Sequence, residues 1–330
     1  MRIAITGATG FLGRHIVEGL SGTHELICIS RSGDAPKGCV GKKIDVVSGR
    51  GLKTAFAKVD VVVHAAGLVS HELDRAQETW AVHVTGTQKV LEAARSAKVS
   101  RVVYLSTSGT IAVSTDPGHV ANEDSAPPEA LIQSWPYYRS KLYAEQLALN
   151  FDGPDIVCLN PSLLLGPGDV VGGKSTHAVS VFLDQGVPVA PPGGISFVDV
   201  RDVAHAVELA LTRGEAGERY LLSGANMPFV DFYARLARIT GRDEPLMAMP
   251  RVTRSALRWF PKWGRESGIS AGIGPVISRE DLELSSHYWY ADSSKAEAAL
   301  GFSSRDPVRT LEDTAFDILE RQQRAFARYR

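Results

Sequence analysis

The chain has 330 residues, of which 44% are hydrophobic and 22% are charged, the composition of an ordinary globular protein. Its formal net charge is −1, so no strong electrostatic field favours nucleic acid or an anionic membrane as a partner. The length exceeds the ~250–300 residues at which one hydrophobic core stops growing, which predicts a large domain with an appended lobe.

The spacing of the cysteines and the length of the apolar runs bear on the cellular compartment, on metal binding and on membrane insertion. Cys28, Cys39 and Cys158 show no paired spacing, and the nine histidines show no ligand pair such as H-E-x-x-H, so we expect a cytoplasmic protein without a metal. The first residues begin a strand rather than an export signal, and no apolar run approaches the ~18–20 residues of a membrane span.

The chain alternates short apolar runs with helical patterns. Predicted strands cover residues 2–6, 24–30, 59–64, 101–105, 155–159, 195–198 and 219–222. Predicted helices cover residues 11–20, 74–97, 136–150 and 199–212. Beyond residue 166 the alternation loosens, and residues 224–330 mix short helices with apolar loops. Strands alternating with helices predict an α/β fold with a parallel, doubly wound sheet and right-handed crossovers.

A glycine-rich turn follows the first strand in the segment TGATGFLG at 6–13. Gly7 permits a sharp turn, Gly10 lets the backbone approach a phosphate, and Gly13 lets the helix pack on the sheet. The helix N-terminus then offers N–H groups and partial positive charge to a pyrophosphate. We therefore predict a dinucleotide site, and the alternative is a turn whose glycines serve packing only.

Arg31 follows the second predicted strand, where dinucleotide-binding units select the cofactor. An acidic residue at this place accepts from the ribose 2′-hydroxyl of NAD, whereas an arginine suits the 2′-phosphate of NADP. NADP(H) is therefore favoured over NAD(H), with Ser30 and Ser32 as additional hydroxyl donors. Two alternatives remain: Arg31 is a solvated surface residue, or Asp34 folds back and reverses the preference.

Tyr137 and Lys141 are four residues apart on a predicted helix, so they share one helix face. A free phenol titrates near ~10, and an ammonium within ~4–6 Å favours the phenolate and lowers that pKa. The pair is thus a candidate for general acid–base catalysis. Tyr138 competes for the role, because it lies three residues from Lys141, and Tyr-x-x-x-Lys also occurs on ordinary exposed helices.

Ser106, Thr107 and Ser108 follow the strand at 101–105, at the sheet edge where parallel sheets bind ligands. A hydroxyl at this edge would hydrogen-bond the oxygen of a substrate and align it with Tyr137. The alternative is a strand-end turn in which the serines bond their own backbone.

These residues, in this order, resemble the extended short-chain dehydrogenase/reductases. The similar segments are TGATGFLG at 6–13, HAAG at 64–67, HVTGT at 83–87, YLSTSGT at 104–110, PYYRSK at 136–141, NPSLLLGPGD at 160–169, FVDVRDVA at 197–204 and WYADSSKAEAALGF at 289–302. The sequences of these segments are most similar to the dihydroflavonol reductase and hydroxysteroid dehydrogenase branch. The resemblance covers most of the chain, and the combination is far more specific than any one motif.

The resemblance implies a role for each matching residue. Ser108 would steady the substrate oxygen, Tyr137 would donate the proton, and Lys141 would lower the tyrosine pKa and bind the nicotinamide ribose. The cofactor would contact Gly7, Thr9, Gly10, Phe11, Leu12, Gly13, Arg31, Asp45, Val46, Ala65, Ala66, Gly67, Ser106, Tyr137, Lys141, Pro161 and Ser162. His83 departs from the family, which usually has asparagine there, and either shuttles protons or caps local structure.

The resemblance also implies an architecture. A Rossmann-type dinucleotide domain would comprise residues 1–165 and 195–223, and a smaller substrate-binding lobe residues 166–194 and 224–330. Helices 74–97 and 137–150 would pair across a homodimer, as in relatives.

Residues 168–175 match the phosphate-loop pattern G-x-x-x-x-G-K-[ST], and residues 195–199 resemble its magnesium-binding strand. We reject a triphosphatase, because Pro161 lies in the supposed preceding strand and a dinucleotide site is already complete. The segment is expected to be a loop that opens the substrate lobe.

The stretch 246–290 is rich in large apolar side chains interleaved with arginines. They are Leu246, Met247, Met249, Leu257, Trp259, Phe260, Trp263, Ile273 and Trp289, with Arg251, Arg254, Arg258 and Arg265. Either they line a cleft for a bulky, mostly apolar carbonyl compound, or they form the core of the lobe together with an interface. The leading hypothesis is an NADPH-dependent reductase of a ketone or aldehyde. The alternatives are a nucleotide-sugar epimerase or dehydratase that retains NAD, and a non-enzymatic redox sensor.

Overall fold

The computed structural model describes residues 1–70, 72–170, 175–249 and 279–327. Its central sheet comprises β1 (Arg2–Thr6), β2 (Glu25–Ser30), β3 (Val40–Lys43), β4 (Val61–His64), β5 (Arg101–Leu105), β6 (Asp155–Pro161) and β10 (Arg219–Leu222). All of these strands are parallel, in the spatial order β3-β2-β1-β4-β5-β6-β10. The strand order reverses between β1 and β4, which confirms the predicted Rossmann-type doubly wound sheet.

Helices cover both faces of this sheet. In the first half of the chain they are α1 (Phe11–Leu20), α2 (Leu52–Ala55), α3 (Ala76–Trp80), α4 (Gly86–Ala97), α5 (Glu129–Ile132) and α6 (Pro136–Leu149). Further along, they are α7 (His177–Gln185), α8 (Val200–Ala210), α9 (Phe229–Thr240), α10 (Arg279–Leu284), α11 (Ser294–Leu300) and α12 (Pro307–Ala327). Ile16 of α1 and Val207 of α8 share the core on one face, and Leu91 of α4 and Ala148 of α6 share the core on the other. Within these ranges, no helix has both the length and the apolarity needed to cross a bilayer.

The single helix predicted over 74–97 is interrupted. A 3₁₀ turn (Leu73–Arg75) and α3 lead into a π-helical turn (Ala81–Thr85), and only then does α4 begin. The π turn includes His83, whose side chain is buried. Such turns are rare and occur frequently at functional sites, and periodicity does not reveal them because they shift the register by a single residue.

A smaller region has sheets of its own. A three-stranded sheet contains β7 (Leu163–Leu165), β9 (Gly194–Asp199) and β11 (Ala225–Pro228), and a two-stranded sheet pairs β8 (Val189–Ala190) with β12 (Met247–Ala248). The strand predicted at 195–198 therefore exists, but it pairs with β7 and β11 rather than with the central sheet. Phe182 of α7, Leu236 of α9 and Leu311 of α12 form the core of this region. The exact limits of the two predicted domains stay a prediction.

Candidate functional site

A cavity of about 890 Å³ lies at the carboxyl ends of the central strands. Of the predicted site residues, it is lined by Gly7, Gly10, Phe11, Leu12, Gly13, Ala65, Gly67, Ser106, Ser108, Tyr137, Lys141, Pro161 and Ser162. Residues from five separate segments of the chain are thus brought to one place. Thr9, Arg31, Asp45, Val46 and Ala66 were also predicted, and they are not part of this lining.

The backbone of the glycine turn requires residues without a side chain at Gly7 and Gly13. Gly7 has a φ of +76°, and a Cβ there would lie 2.7 Å from the carbonyl oxygen of Ala65. A Cβ on Gly13 would lie 2.1 Å from the carbonyl oxygen of Gly7, so any side chain would push α1 away from the turn. Gly10 is the N-cap of α1 and provides no side chain to occupy the first-turn N–H groups. These groups and the helix dipole suit a phosphate.

The predicted adenine side lies at the ends of β2 and β3. Arg31 directly follows β2 and is exposed, whereas Asp45 and Val46 follow β3. The side chain of Asp45 accepts a hydrogen bond from the Val47 amide at 2.9 Å, which shapes the local turn. The hydroxyl of Ser30, predicted as an additional donor to the cofactor, accepts a hydrogen bond from the amide of Gly33 at 2.9 Å.

The segment after β5 forms a tight turn that presents Ser108 to the cavity. Thr107 caps the 3₁₀ turn Ser108–Thr110 by accepting a hydrogen bond from the Gly109 amide. Ser108 is 5% exposed and lines the cavity. Ser106 also lines it, but its hydroxyl donates away from the cavity to the carboxylate of Glu145.

In the acid–base pair, Lys141 is buried and Tyr137 is half-buried, and the electrostatics of the pair differ from the prediction. The Lys141 ammonium donates to the carbonyl oxygen of Leu105 at 2.7 Å, and burial lowers its pKa to about 8. Burial raises the pKa of Tyr137 to about 12, against a smaller lowering by a hydrogen bond to the side chain of Thr107. The predicted lowering of the pKa of this phenol is therefore not found, because desolvation outweighs the opposing contribution. That Lys141 stabilises the phenolate stays a prediction.

Tyr138 lines the same cavity and remains a competing proton donor. Burial raises its pKa, as it does that of Tyr137. Its ring packs against Trp289, with ring centroids 4.8 Å apart, and against Gly109, where a Cβ would lie 2.2 Å from the ring. Tyr138 thus forms part of an aromatic wall next to Ser108.

His83 makes hydrogen bonds that define its tautomer. Its Nε2 accepts from the backbone amide of Leu68 at 3.0 Å, so the ring proton of the neutral form lies on Nδ1. Nδ1 then donates to the hydroxyl of Ser140 at 2.8 Å, and that hydroxyl donates to the carbonyl oxygen of Tyr137. Burial lowers the pKa of His83 well below its usual value. The ring therefore ties the turn after β4 to α6 as a neutral group.

The opposite wall of the cavity is mostly apolar. It contains Leu163, Leu164, Val181, Val187, Pro188, Val189, Pro191, Ile195, Phe229, Tyr233, Leu284 and Trp289. Of the apolar residues predicted in 246–290, Trp289 is present, whereas Leu246 and Met247 are exposed and lie elsewhere. Leu257, Trp259, Phe260, Trp263, Ile273 and the four arginines lie outside the described residues. Sequence reasoning missed the contributions of α7 and α9, because their apolar residues have ordinary helical spacing.

The acidic residues in and near the phosphate-loop pattern have hydrogen-bond and ion-pair partners within the protein. Asp169 accepts from the amide and the hydroxyl of Thr176, at 3.2 and 3.1 Å. Asp199 caps α8 and forms an ion pair with Arg201 at 2.7 Å, which lowers its pKa. Residues 171–174, which include Lys174, lie outside the described residues.

Comparison with known proteins identifies the family. The model of the NAD dependent epimerase/dehydratase family matches residues 3–223. A Synechocystis sp. protein that carries the provisional name dihydroflavonol 4-reductase is 29% identical over 94% of this chain and 92% of its own length. Sterol demethylase protein B of Methylococcus capsulatus is 31% identical over 76% of this chain and 78% of its own.

The fold agrees with that comparison. The crystal structure of gox2253 superposes with a TM-score of 0.80 at 26% identity, covering 97% of this chain and 98% of that one. Its agreement extends over both the central sheet and the smaller region. The chain therefore belongs to the NAD dependent epimerase/dehydratase family of extended short-chain dehydrogenase/reductases, and it is an NAD(P)-dependent enzyme of the oxidoreductase or epimerase type.

Proposed function

We propose that the protein is an NADPH-dependent reductase of a ketone or aldehyde on a bulky, mostly apolar molecule, with Tyr137 as the proton donor. The observation that carries this proposal is the meeting, in one cavity, of the glycine turn, the phenol of Tyr137, the ammonium of Lys141 and an apolar wall. The reverse oxidation of the alcohol would use the same groups.

The residues present fit a dinucleotide. The glycine turn leaves open the space that side chains at Gly7 and Gly13 would fill, and the N-terminus of α1 faces the cavity. Within the described residues, the buried hydroxyl of Ser162 has no hydrogen-bond partner, and Ser162 lines the cavity beside Pro161. A carboxamide is a suitable partner for this hydroxyl. The nicotinamide cofactor would supply a hydride to the carbonyl carbon.

Arg31 supports the choice of NADPH. It is exposed at the end of β2, the strand next to the glycine turn, where its guanidinium would pair with a 2′-phosphate. Asp34 is exposed in the same loop. The proposed preference for NADPH over NADH thus depends on the guanidinium of Arg31, and a titration with both cofactors tests it directly.

The raised pKa of Tyr137 suits reduction. At neutral pH the phenol holds its proton, and the oxygen of a carbonyl that accepts hydride becomes a far stronger base than a phenolate. Tyr137 would then protonate this oxygen, Ser108 would hydrogen-bond it, and the charge of Lys141 would stabilise the resulting phenolate. A high phenol pKa thus opposes the oxidative direction, which needs the phenolate first.

The lining of the cavity indicates the substrate class. Its described charged residues are Lys141, Glu72, Asp74 and Asp281, and no arginine is among them. Against these described residues, a nucleotide diphosphate would meet three carboxylates and one ammonium, which is unfavourable. A neutral, bulky carbonyl compound fits the apolar wall, and the names of the relatives, which refer to a dihydroflavonol and to sterols, agree with this class.

The second candidate is an epimerase or dehydratase that retains NAD, which the family description itself favours. Such an enzyme returns the hydride to its own substrate, so its dinucleotide stays bound through many turnovers. Denaturing the purified protein and measuring the released dinucleotide separates the two candidates. Stoichiometric NAD in the supernatant would favour the epimerase.

The proposal is tested by a panel of carbonyl compounds monitored through the loss of NADPH absorbance. The panel should contain polycyclic and aromatic ketones, small ketones and nucleotide sugars. We expect turnover of the bulky neutral ketones, and none of the nucleotide sugars. Turnover of nucleotide sugars alone, without net consumption of NADPH, would contradict the proposal.

A further inference from the structure

Glu145 is a buried carboxylate one helical turn after Lys141 on α6. It is 1% exposed, and it was not among the predicted site residues. Burying a carboxylate is costly unless hydrogen bonds and opposite charge compensate it. The position of Glu145 therefore requires partners, and its partners lie on the segments that form the catalytic side of the cavity.

Both oxygens of this carboxylate are used. Oε2 accepts from the hydroxyl of Ser106, from the hydroxyl of Thr110 at 2.9 Å and from the amide nitrogen of Asn160 at 2.7 Å. Oε1 accepts from the guanidinium of Arg219 at 3.2 Å. One side chain of α6 thus bonds to groups on the β5 turn, on β6 and on β10.

These partners flank the residues that face the cavity. Ser106 and Thr110 lie two residues before and two residues after Ser108, so two hydrogen bonds to one carboxylate hold the ends of that turn. Asn160 immediately precedes Pro161 and Ser162 in the chain. Its amide also donates to the carbonyl oxygen of Thr107 at 3.2 Å. The carboxylate therefore sets the distance between α6 and both segments.

Glu145 also acts on the ammonium of the same helix. Its negative charge favours the charged form of Lys141, which burial disfavours. Burial raises the pKa of the Cys158 thiol well above its usual value, so this neighbour is neutral at neutral pH. The titratable groups that face Lys141 are Glu145 and Tyr137 on α6, Tyr104 on β5, Cys158 on β6, His64 on β4 and His83 in the π turn. Burial lowers the pKa values of both histidines, so they contribute no positive charge at neutral pH.

We propose that Glu145 is a positioning residue for the reaction. It holds Ser108 at a set distance from α6, the helix that carries Tyr137, and its negative charge helps to keep Lys141 charged. This inference rests on the proposed function, since it assigns a role within the same catalytic site. It follows from the hydrogen bonds that join one carboxylate to the turn after β5 and to the end of β6. Glu145 itself is absent from the lining of the cavity.

The test compares Glu145→Gln with Glu123→Gln. Glu123 is also buried and near Arg219, but its carboxylate accepts from the backbone amide of Leu221 and does not contact the Ser108 turn. We expect Glu145→Gln to lower kcat about 100-fold, the effect of misplacing reacting groups by about 1 Å, with little change in the KM for NADPH. The alkaline limb of its pH profile should move to lower pH, because Lys141 loses a neighbouring negative charge. Glu123→Gln should change neither quantity.

Equal effects of the two substitutions on kcat and on the pH profile would overturn the inference, since they would show a general loss of packing. If Glu145→Gln does not fold, Thr110→Val removes one donor to the same carboxylate and should lower kcat about tenfold by the same mechanism. Unchanged kcat in Thr110→Val would then count against the inference.

A measurement that does not depend on catalytic turnover distinguishes this inference from the proposed function. The rate at which acetic anhydride acetylates Lys141, measured by mass spectrometry at several pH values, reports the pKa of its ammonium. We expect a lower midpoint in Glu145→Gln than in the wild type and in Glu123→Gln, and an unchanged midpoint would overturn the inference. If this shift is observed but the wild-type protein reduces no carbonyl compound, the result contradicts the proposed function alone.

Discussion

The two walls of the cavity are built differently. We call the side with the segments after β4 and β5 and with α6 the strand-end wall, and the apolar side with residues of α7 and α9 the lobe wall. On the strand-end wall, polar side chains are held by hydrogen bonds: His83 by Leu68 and Ser140, and Lys141 by Leu105. On the lobe wall, residues such as Val187 and Phe229 belong to the hydrophobic core of the smaller region and are held by packing. The difference indicates that one wall holds reacting groups at set positions, whereas the other selects a substrate by shape.

The physical reason lies in what each kind of group costs. A buried polar group needs a partner in defined geometry, so a small displacement loses a hydrogen bond and misplaces a reacting atom. An apolar wall needs mainly volume, and similar side chains replace one another at modest cost. Substitutions in the first wall should therefore act mainly on kcat, and substitutions in the second mainly on the KM of the carbonyl compound.

Tyr137→Phe is the substitution with the largest expected effect. Removing the proton donor should lower kcat by about 10²- to 10⁴-fold, and the affinity for NADPH should stay nearly the same. The measurement is steady-state kinetics together with a fluorescence titration of NADPH. Tyr138→Phe is the matched control, because it removes the neighbouring hydroxyl. A larger loss of kcat in Tyr138→Phe would exchange the roles of the two tyrosines.

The pH dependence of reduction tests the strand-end wall without a substitution. Burial lowers the pKa of Lys141 to about 8, so its ammonium is charged below that pH and neutral above it. Because the charge stabilises the phenolate that forms on Tyr137, kcat/KM should be constant below pH 8 and fall about tenfold per unit above it. A profile that rises through pH 8 to 10 would contradict this assignment.

Arg31→Ser tests the cofactor side. Loss of a charge-assisted pair with the 2′-phosphate should raise the KM for NADPH about 10- to 100-fold and leave the KM for NADH nearly unchanged. Lys37→Ser is the control, since Lys37 is an exposed cation in the same loop. If both substitutions weaken NADPH binding equally, general electrostatic attraction is responsible and the specific role of Arg31 is lost.

Val181→Thr has the smallest expected effect. It keeps the shape of the lobe wall and adds a hydroxyl that an apolar substrate leaves unpaired, at a cost of about 1 kcal/mol. The KM of a bulky ketone should rise about fivefold, and kcat should stay the same. Val170→Thr makes the same change at an exposed position outside the cavity and should have no effect. A fall in kcat with constant KM would contradict the division between the two walls.

Local patterns explain most of what could be anticipated. The strand before Gly7 and the helix after it identified the turn, and the four-residue spacing placed Tyr137 and Lys141 on one helix face. Features that depend on a single residue of register, such as the π turn around His83, leave no periodic signal. The short strands β7, β8 and β11 were missed for a related reason, because two to four residues are too few to show alternation.

The doubly wound parallel sheet, the glycine turn at its edge and most of the groups that line the cavity could be predicted from the amino-acid pattern. These depend on local periodicity and on backbone conformations that few residue types adopt. The charges and partners of those groups became visible in the folded chain: burial raises the pKa of Tyr137, Lys141 binds the end of β5, and Glu145 joins α6 to the segments after β5 and at the end of β6. Desolvation and hydrogen bonding depend on which distant segments surround a side chain, and that is a property of the folded chain.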